Sequence, residues 1–249
     1  MQKIKKKLVF EKDAYNGEEL LLIGPGPSTI DIDFSKLHKK IHYKCTLNDT
    51  FLNYLSDFWY SGVGIHLLQS YFQQDLAFFK QSSTMKIFSC HKENKLYNTF
   101  VSESQVNEIV ARFSLPNCVS VSRFPGDYLQ NLQHIPPEFY KNTVNIPLNH
   151  YIPSIPGGSM ISSLQIFQKL GFSKIFLIGF MDSDTFEHRV TPVKQHVPVW
   201  QHENDWIKKE LYTQCTIINE VFNQNKCEII NLCPPKKALY HGFQFFTFS

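Results

Sequence analysis

The sequence predicts an α/β fold, a mostly parallel sheet with helices on both faces, and three observations carry that expectation. The apolar run Glu19-Leu20-Leu21-Leu22-Ile23 stops abruptly at Gly24-Pro25-Gly26-Pro27-Ser28, as a buried strand does where it meets a turn. Strand-like apolar runs alternate with segments of helical spacing, which favours parallel pairing through helical crossovers. A chain of 249 residues with 43% hydrophobic content can bury a full core in one domain with an embellishment.

Taken in order, the four apolar residues Leu20 to Ile23 suit a strand covered on both faces. Gly24 and Gly26 let a backbone approach a ligand closely, and Ser28 can cap the helix or turn that Thr29 begins. A strand followed by an ordinary tight turn is the alternative. Pro27 has no N–H to donate, and Thr29 stands where a dinucleotide fingerprint has its third glycine, which argues against NAD or FAD. Ile41 to Leu47 is the second strand, ending in Asn48-Asp49-Thr50, and Asp57 to Tyr60 is a short third one ending at Ser61-Gly62. Ile65 to Lys80 has helical spacing, and Met85 to Cys90 is the next strand. Ser102 and Gln105 form a capping box that opens a helix running to about Phe113, and Val119 with Val121 marks a short strand. From Pro125 to Pro156 the chain is rich in Pro, Asn and Tyr without periodicity, and an insertion or rim is expected. Ser159 to Leu170 is a helix that Gly157 and Gly158 introduce and Gly171 ends. The strand Lys174 to Gly179, a polar stretch from Phe180 to Asn204, a helix from about Asp205 to Phe222 and a strand from Glu228 to Cys233 follow. Residues 1–249 therefore read as a single domain, with 180–204 as a lid or active-site loop.

Charge and composition narrow the function. A formal charge of +3 is too small to argue for nucleic acid, and Lys3, Lys5, Lys6 and Lys7 read as a solvated end, with an anionic membrane surface as the alternative. Leu8-Val9-Phe10 is interrupted at once by Glu11, Lys12 and Asp13, so no signal peptide is read there, and no apolar run approaches the ~20 residues of a membrane span. A cytoplasmic protein is the expectation. The six cysteines lack a C-x-x-C and read as small core residues of a reducing compartment. The tail Phe243 to Phe248 is aromatic enough to need a cover, which an edge strand, a subunit contact in a homo-oligomer or a peripheral membrane surface would each provide.

Several stretches together resemble the bacterial sialyltransferases of glycosyltransferase family 42. They are Ile23-Gly24-Pro25-Gly26-Pro27-Ser28 with Ile32-Asp33-Phe34-Ser35-Lys36-Leu37, then Leu170 to Gly179, and Asn231-Leu232-Cys233-Pro234. The first turn is shared with pterin diphosphokinase-like proteins and with transferases that modify bacterial surface glycans. The resemblance implies a Rossmann-like, GT-A-like nucleotide-binding domain with a small lid. It further implies a CMP-sugar donor, inversion at the anomeric centre, no metal or other cofactor, and a glycan or glycolipid acceptor in lipooligosaccharide or capsule synthesis at the inner face of the membrane. Carried across by residue, Gly24, Gly26 and Ser28 match the turn beside the nucleotide phosphate, and Asn48 an asparagine that contacts the nucleotide. Ser159 matches a serine at a helix start near the donor carboxylate, where free N–H groups and the helix dipole favour an anion. Asp182 stands near an aspartate that serves the family without metal.

The departures from that pattern are specific. Pro25 and Ser61 replace asparagines, and Gly158 stands where the family has threonine. The stretch 180–204 holds no tyrosine, whereas the family uses two tyrosine hydroxyls there on the leaving phosphate. His188, Arg189 and Lys194 are the candidate replacements, because cations suit a developing phosphate dianion. Asp182-Ser183-Asp184 spells D-x-D, a metal-holding pattern for nucleoside diphosphate donors, but a monophosphate donor does not require it. His188, His196 and His202 lack regular zinc spacing, and one is better used as a base. His202 is the first choice and His196 the reserve. The helix that follows His202 disfavours its imidazolium, while Glu203 and Asp205 pull its titration the other way. The function expected is transfer of sialic acid, or of 3-deoxy-manno-octulosonic acid, from its CMP ester to a glycan hydroxyl. A pterin-type diphosphokinase and a non-catalytic nucleotide-binding assembly domain are the alternatives.

Overall fold

The computed structural model describes residues 7–26, 29, 41–90, 101–124, 136–153, 159–180, 205–232 and 243–245. Within them, nine strands pair side by side in one sheet, and every pairing is parallel. The strands are β1 (Glu19–Ile23), β2 (Tyr43–Leu47), β3 (Phe58–Ser61), β4 (Met85–Cys90), β5 (Cys118–Arg123), β6 (His150–Tyr151), β7 (Lys174–Ile178), β8 (Glu228–Asn231) and β9 (Gln244–Phe245). Their spatial order is β6-β5-β4-β3-β2-β1-β7-β8-β9. The chain steps outward from β1 to β6, then returns to lay β7 on the other side of β1. At the carboxyl ends of β1 and β7 it therefore departs in opposite directions, which opens the crevice where Rossmann-like α/β sheets hold ligands.

Side-chain alternation assigns the two faces. Leu20, Leu22, Cys45, Phe58, Tyr60, Ile87, Ile175 and Leu177 point to one core, shared with α5 (Ser159–Lys169) and α6 (Asp205–Gln224). Trp59, Phe88 and Cys90 point the other way, into a cluster with α1 (Ile65–Gln74), α2 (Leu76–Phe79) and α3 (Glu103–Phe113). On that second face Leu21, Ile23, Ile178 and Ile230 form a smaller cluster. Helices thus lie on both faces, and the unbroken apolar run of β1 follows from burial on both. In α6 the buried Cys215, Ile218 and Phe222 make the stripe that a helix lays on a sheet.

Two stretches differ from the sequence expectation, and a third selects among its alternatives. The helix read over 65–80 breaks at Asp75, whose carboxylate accepts the Phe78 N–H at 2.9 Å and restarts the chain as α2. An aspartate offered this local bond caps rather than continues a helix. Within the irregular 125–156 stretch, α4 (Pro137–Tyr140) is followed by β6, which extends the sheet by one edge strand. The aromatic tail supplies the strand at the opposite edge through Gln244 and Phe245, so the edge-strand alternative holds for those two residues. Cys45, Cys90, Cys215 and Cys227 are buried free thiols and Cys118 is half-buried, which fits their expected place in the core. No helix among the described residues is long and apolar enough to cross a membrane.

Candidate functional site

The strand register brings the predicted residues to one level. Ile23 pairs with Thr46 on one side and Ile178 on the other, and Leu47 pairs with Tyr60. Ser61, Asn48, Gly24 and Gly179 consequently follow one another across the carboxyl rim of the sheet.

At the β1/β7 crevice two backbones touch. The Gly24 N–H donates to the Ile178 carbonyl and the Gly26 N–H to the Gly179 carbonyl, each at 2.7 Å. A Cβ on Gly24 would lie 2.6 Å from the Gly179 oxygen and 2.7 Å from Cε1 of Phe180, and one on Gly179 would overlap the Gly24 carbonyl. Gly179 also sits at φ +80°, a conformation open to glycine. Thr29, buried, donates its hydroxyl to the Gly26 carbonyl at 2.9 Å and closes the turn. The bare Cα of Gly24 thus serves the contact between strands, and the amides of Gly24 and Gly26 are occupied by the last residue of β7 and by Gly179 after it. Pro25 is half-buried beside them.

Next along the rim, Asn48 joins three elements. It ends β2 in the left-handed region, at φ +52°, which asparagine tolerates better than most residues. Its carbonyl accepts from Trp59 Nε1 at 2.6 Å, its Oδ1 accepts the Gly62 N–H at 3.2 Å, and its Nδ2 donates to Ser159 Oγ at 3.3 Å. A Cβ on Gly62 would come within 2.8 Å of that same Oγ. Ser159 is the first residue of α5, so this hydroxyl stands beside the helix end that carries free N–H groups. Asn48 and Ser159 are both half-buried and can meet a ligand. Ser61 is buried at the end of β3, and the bond to Asn48 comes from its neighbour Gly62.

The structure therefore brings Asn48 and Ser159 together, sets Gly24, Pro25 and Gly26 at the adjoining crevice, and adds Gly62 and Trp59, which sequence reasoning did not assign. The signal for Gly62 was its place directly after a strand that ends in a small residue. Pro27, Ser28, Gly158, Asp182, Asp184, His188, Arg189, Lys194, His196 and His202 lie outside the described residues. Among the described residues no cluster of three or more His, Cys, Asp or Glu has the arrangement to hold a metal ion.

Set against protein-family models, curated protein sequences and solved structures, the chain matches none.

Proposed function

We propose that this chain is a CMP-sugar-dependent glycosyltransferase that moves sialic acid, or a related acidic sugar such as 3-deoxy-manno-octulosonic acid, to a glycan hydroxyl with inversion and without a metal. The observation that carries this reading is the contact between Asn48 and Ser159, 111 residues apart, at the carboxyl rim of a parallel sheet. Both residues are ones that the sequence resemblance assigns to the donor nucleotide and its carboxylate.

In this reading the Ser159 hydroxyl and the first-turn amides of α5 bind the donor's anionic groups, and Asn48 orients that hydroxyl while offering its amide to the nucleotide. Gly24, Pro25 and Gly26 shape the crevice rather than cradle a phosphate, because the two glycine amides already have partners in Ile178 of β7 and in Gly179 just after it. His202, with His196 in reserve, takes the acceptor proton. The acceptor oxygen then bonds the anomeric carbon as the bond to the phosphate oxygen breaks, and CMP leaves with that electron pair. His188, Arg189 and Lys194 are the proposed partners of the departing charge. The phosphate is already a good leaving group, so positioning and exclusion of water supply much of the acceleration.

The test is CMP release from CMP-sialic acid and from CMP-3-deoxy-manno-octulosonic acid, with and without EDTA. Release from either donor, undiminished by EDTA, is expected. Loss in EDTA that Mn²⁺ restores would move Asp182 and Asp184 to metal ligands. CMP binding without donor consumption would favour the assembly-domain reading, and Mg²⁺-dependent AMP release from ATP the diphosphokinase.

A further inference from the structure

Below the rim a chain of buried hydroxyls runs from the edge of the sheet to Ser159. Tyr151, on edge strand β6, shares a hydrogen with Ser89 of β4 at 2.5 Å. Ser89 in turn lies beside the phenol of Tyr60 on β3, and that phenol donates to Ser162 Oγ at 2.7 Å. The Ser162 hydroxyl uses its single hydrogen on the Ser159 carbonyl, 3.2 Å away within the first turn of α5. Ser159 is consequently gripped twice: through its main chain by the Ser162–Tyr60 arm, and through its side chain by Asn48. Tyr60 and Ser162 are buried, at 0% and 4% exposure, and neither can touch a ligand in solvent.

From this geometry we infer that Tyr60 and Ser162 are positioning residues, which set the start of α5 and so aim the Ser159 hydroxyl and the first-turn amides at the rim. The inference rests on the proposed nucleotide site and adds what holds its anion-binding end in place. A phenol is protonated at physiological pH in any case, and burial pushes Tyr60 well above even that ordinary range. Phenylalanine would keep the ring's packing and remove the hydroxyl, so that Ser162 loses this incoming bond and Ser89 loses its contact with the phenol. The effect at the rim is indirect and must pass through Ser159.

A thermodynamic cycle with CMP as the probe tests that route. Tyr60→Phe, Ser159→Ala and the double variant are titrated calorimetrically, beside amide hydrogen exchange on the ligand-free proteins. Tyr60→Phe is expected to weaken CMP about 5-fold and to speed exchange in the first turns of α5. In the Ser159→Ala background the same change should weaken CMP by less than it does in the wild-type protein, because only the first-turn amides are left to misplace, and a merely structural role would not produce that difference. Multiplicative losses in the double variant, or unchanged CMP affinity in Tyr60→Phe, would overturn the inference. Should wild-type protein fail to bind CMP, the nucleotide reading falls by itself. The positioning role is then decided by exchange, and unaltered exchange in α5 refutes it. Ser162→Ala, which cuts the same arm from the other end, must give the same pattern and stands in if Tyr60→Phe does not fold.

Discussion

At the scale of single residues, Gly24 and Gly179 show how little room the crevice has. Alanine at Gly179 meets two penalties, a left-handed φ of +80° and overlap with the Gly24 carbonyl, whereas Gly17 has φ +81° with nothing within 4 Å of an added Cβ. Gly17→Ala should cost about 1–2 kcal/mol from conformation alone. Gly179→Ala should cost about 1–3 kcal/mol more from overpacking, and urea unfolding of the two variants side by side measures the difference. Equal losses would mean that the two strand ends separate easily. A second expectation concerns the base. His202→Ala should lower turnover about 10²- to 10⁴-fold with donor binding largely kept. Near-normal turnover there with collapse in His196→Ala would transfer the role to His196, and near-normal turnover in both would remove histidine from the mechanism.

Among the elements, α5 does two jobs with its two ends. Its first residue faces the rim, while Gln165 and Lys169 satisfy the outward backbone of β6 and of Ile152 after it. The Gln165 amide accepts the Ile152 N–H at 2.7 Å and donates to the Ile152 carbonyl at 2.8 Å, and Lys169 Nζ reaches the carbonyls of His150 and Pro147. A strand edge whose backbone groups are already paired offers no template to another chain. Gln165→Met keeps most of the volume but strands a buried N–H and carbonyl, so a loss of about 2–4 kcal/mol is expected from two unpaired groups. Faster exchange of the Ile152 amide should accompany it, and a variant as stable as wild type would show that the edge finds other partners. The capping box of α3 is a simpler case. Ser102 Oγ accepts the Gln105 N–H at 3.2 Å and Gln105 Oε1 accepts the Ser102 N–H at 2.9 Å, as the two residues' spacing predicts.

For the whole molecule, the buried ionisable groups set a pH optimum. Burial lowers Lys169 to about 7 and Lys86 to about 8, so from pH 7 upward the unfolded chain binds protons that the folded one has lost, and stability rises with pH. Burial raises Cys90 and Cys227 to about 12, so above about pH 9 the unfolded thiols ionise first and stability falls. The urea midpoint should therefore climb from pH 7 and turn over near pH 9. Lys169→Met should flatten the rising limb, and a limb that keeps its slope in that variant would assign it to other groups. Ligand linkage gives a second whole-molecule test. CMP at about 100-fold over its dissociation constant should add roughly 2.7 kcal/mol and raise the Tm more than ATP, UDP or NAD do. Equal shifts with UDP or NAD, or none with CMP, would refute the nucleotide assignment.

Local pattern was enough for most elements. Four apolar residues before Gly24 mark β1, Ser102 with Gln105 marks the start of α3, and Met85 to Cys90 is β4 to the residue, because periodicity and capping act within one turn or one strand. Asn48 and Ser159 were legible as separate candidates, each at the end of a regular element. Their meeting was not, since it depends on β2, β3 and α5 converging across 111 residues. The placement of β7 beside β1 is likewise a matter of which faces bury each other, and it is what gives the Gly24 and Gly26 amides their carbonyl partners in Ile178 and Gly179. Strand β6 escaped sequence reading for the same reason. Two residues carry no periodicity, and the backbone here becomes a strand only once β5 pairs it on one side while Lys169 bonds His150 and Gln165 bonds the following Ile152 on the other.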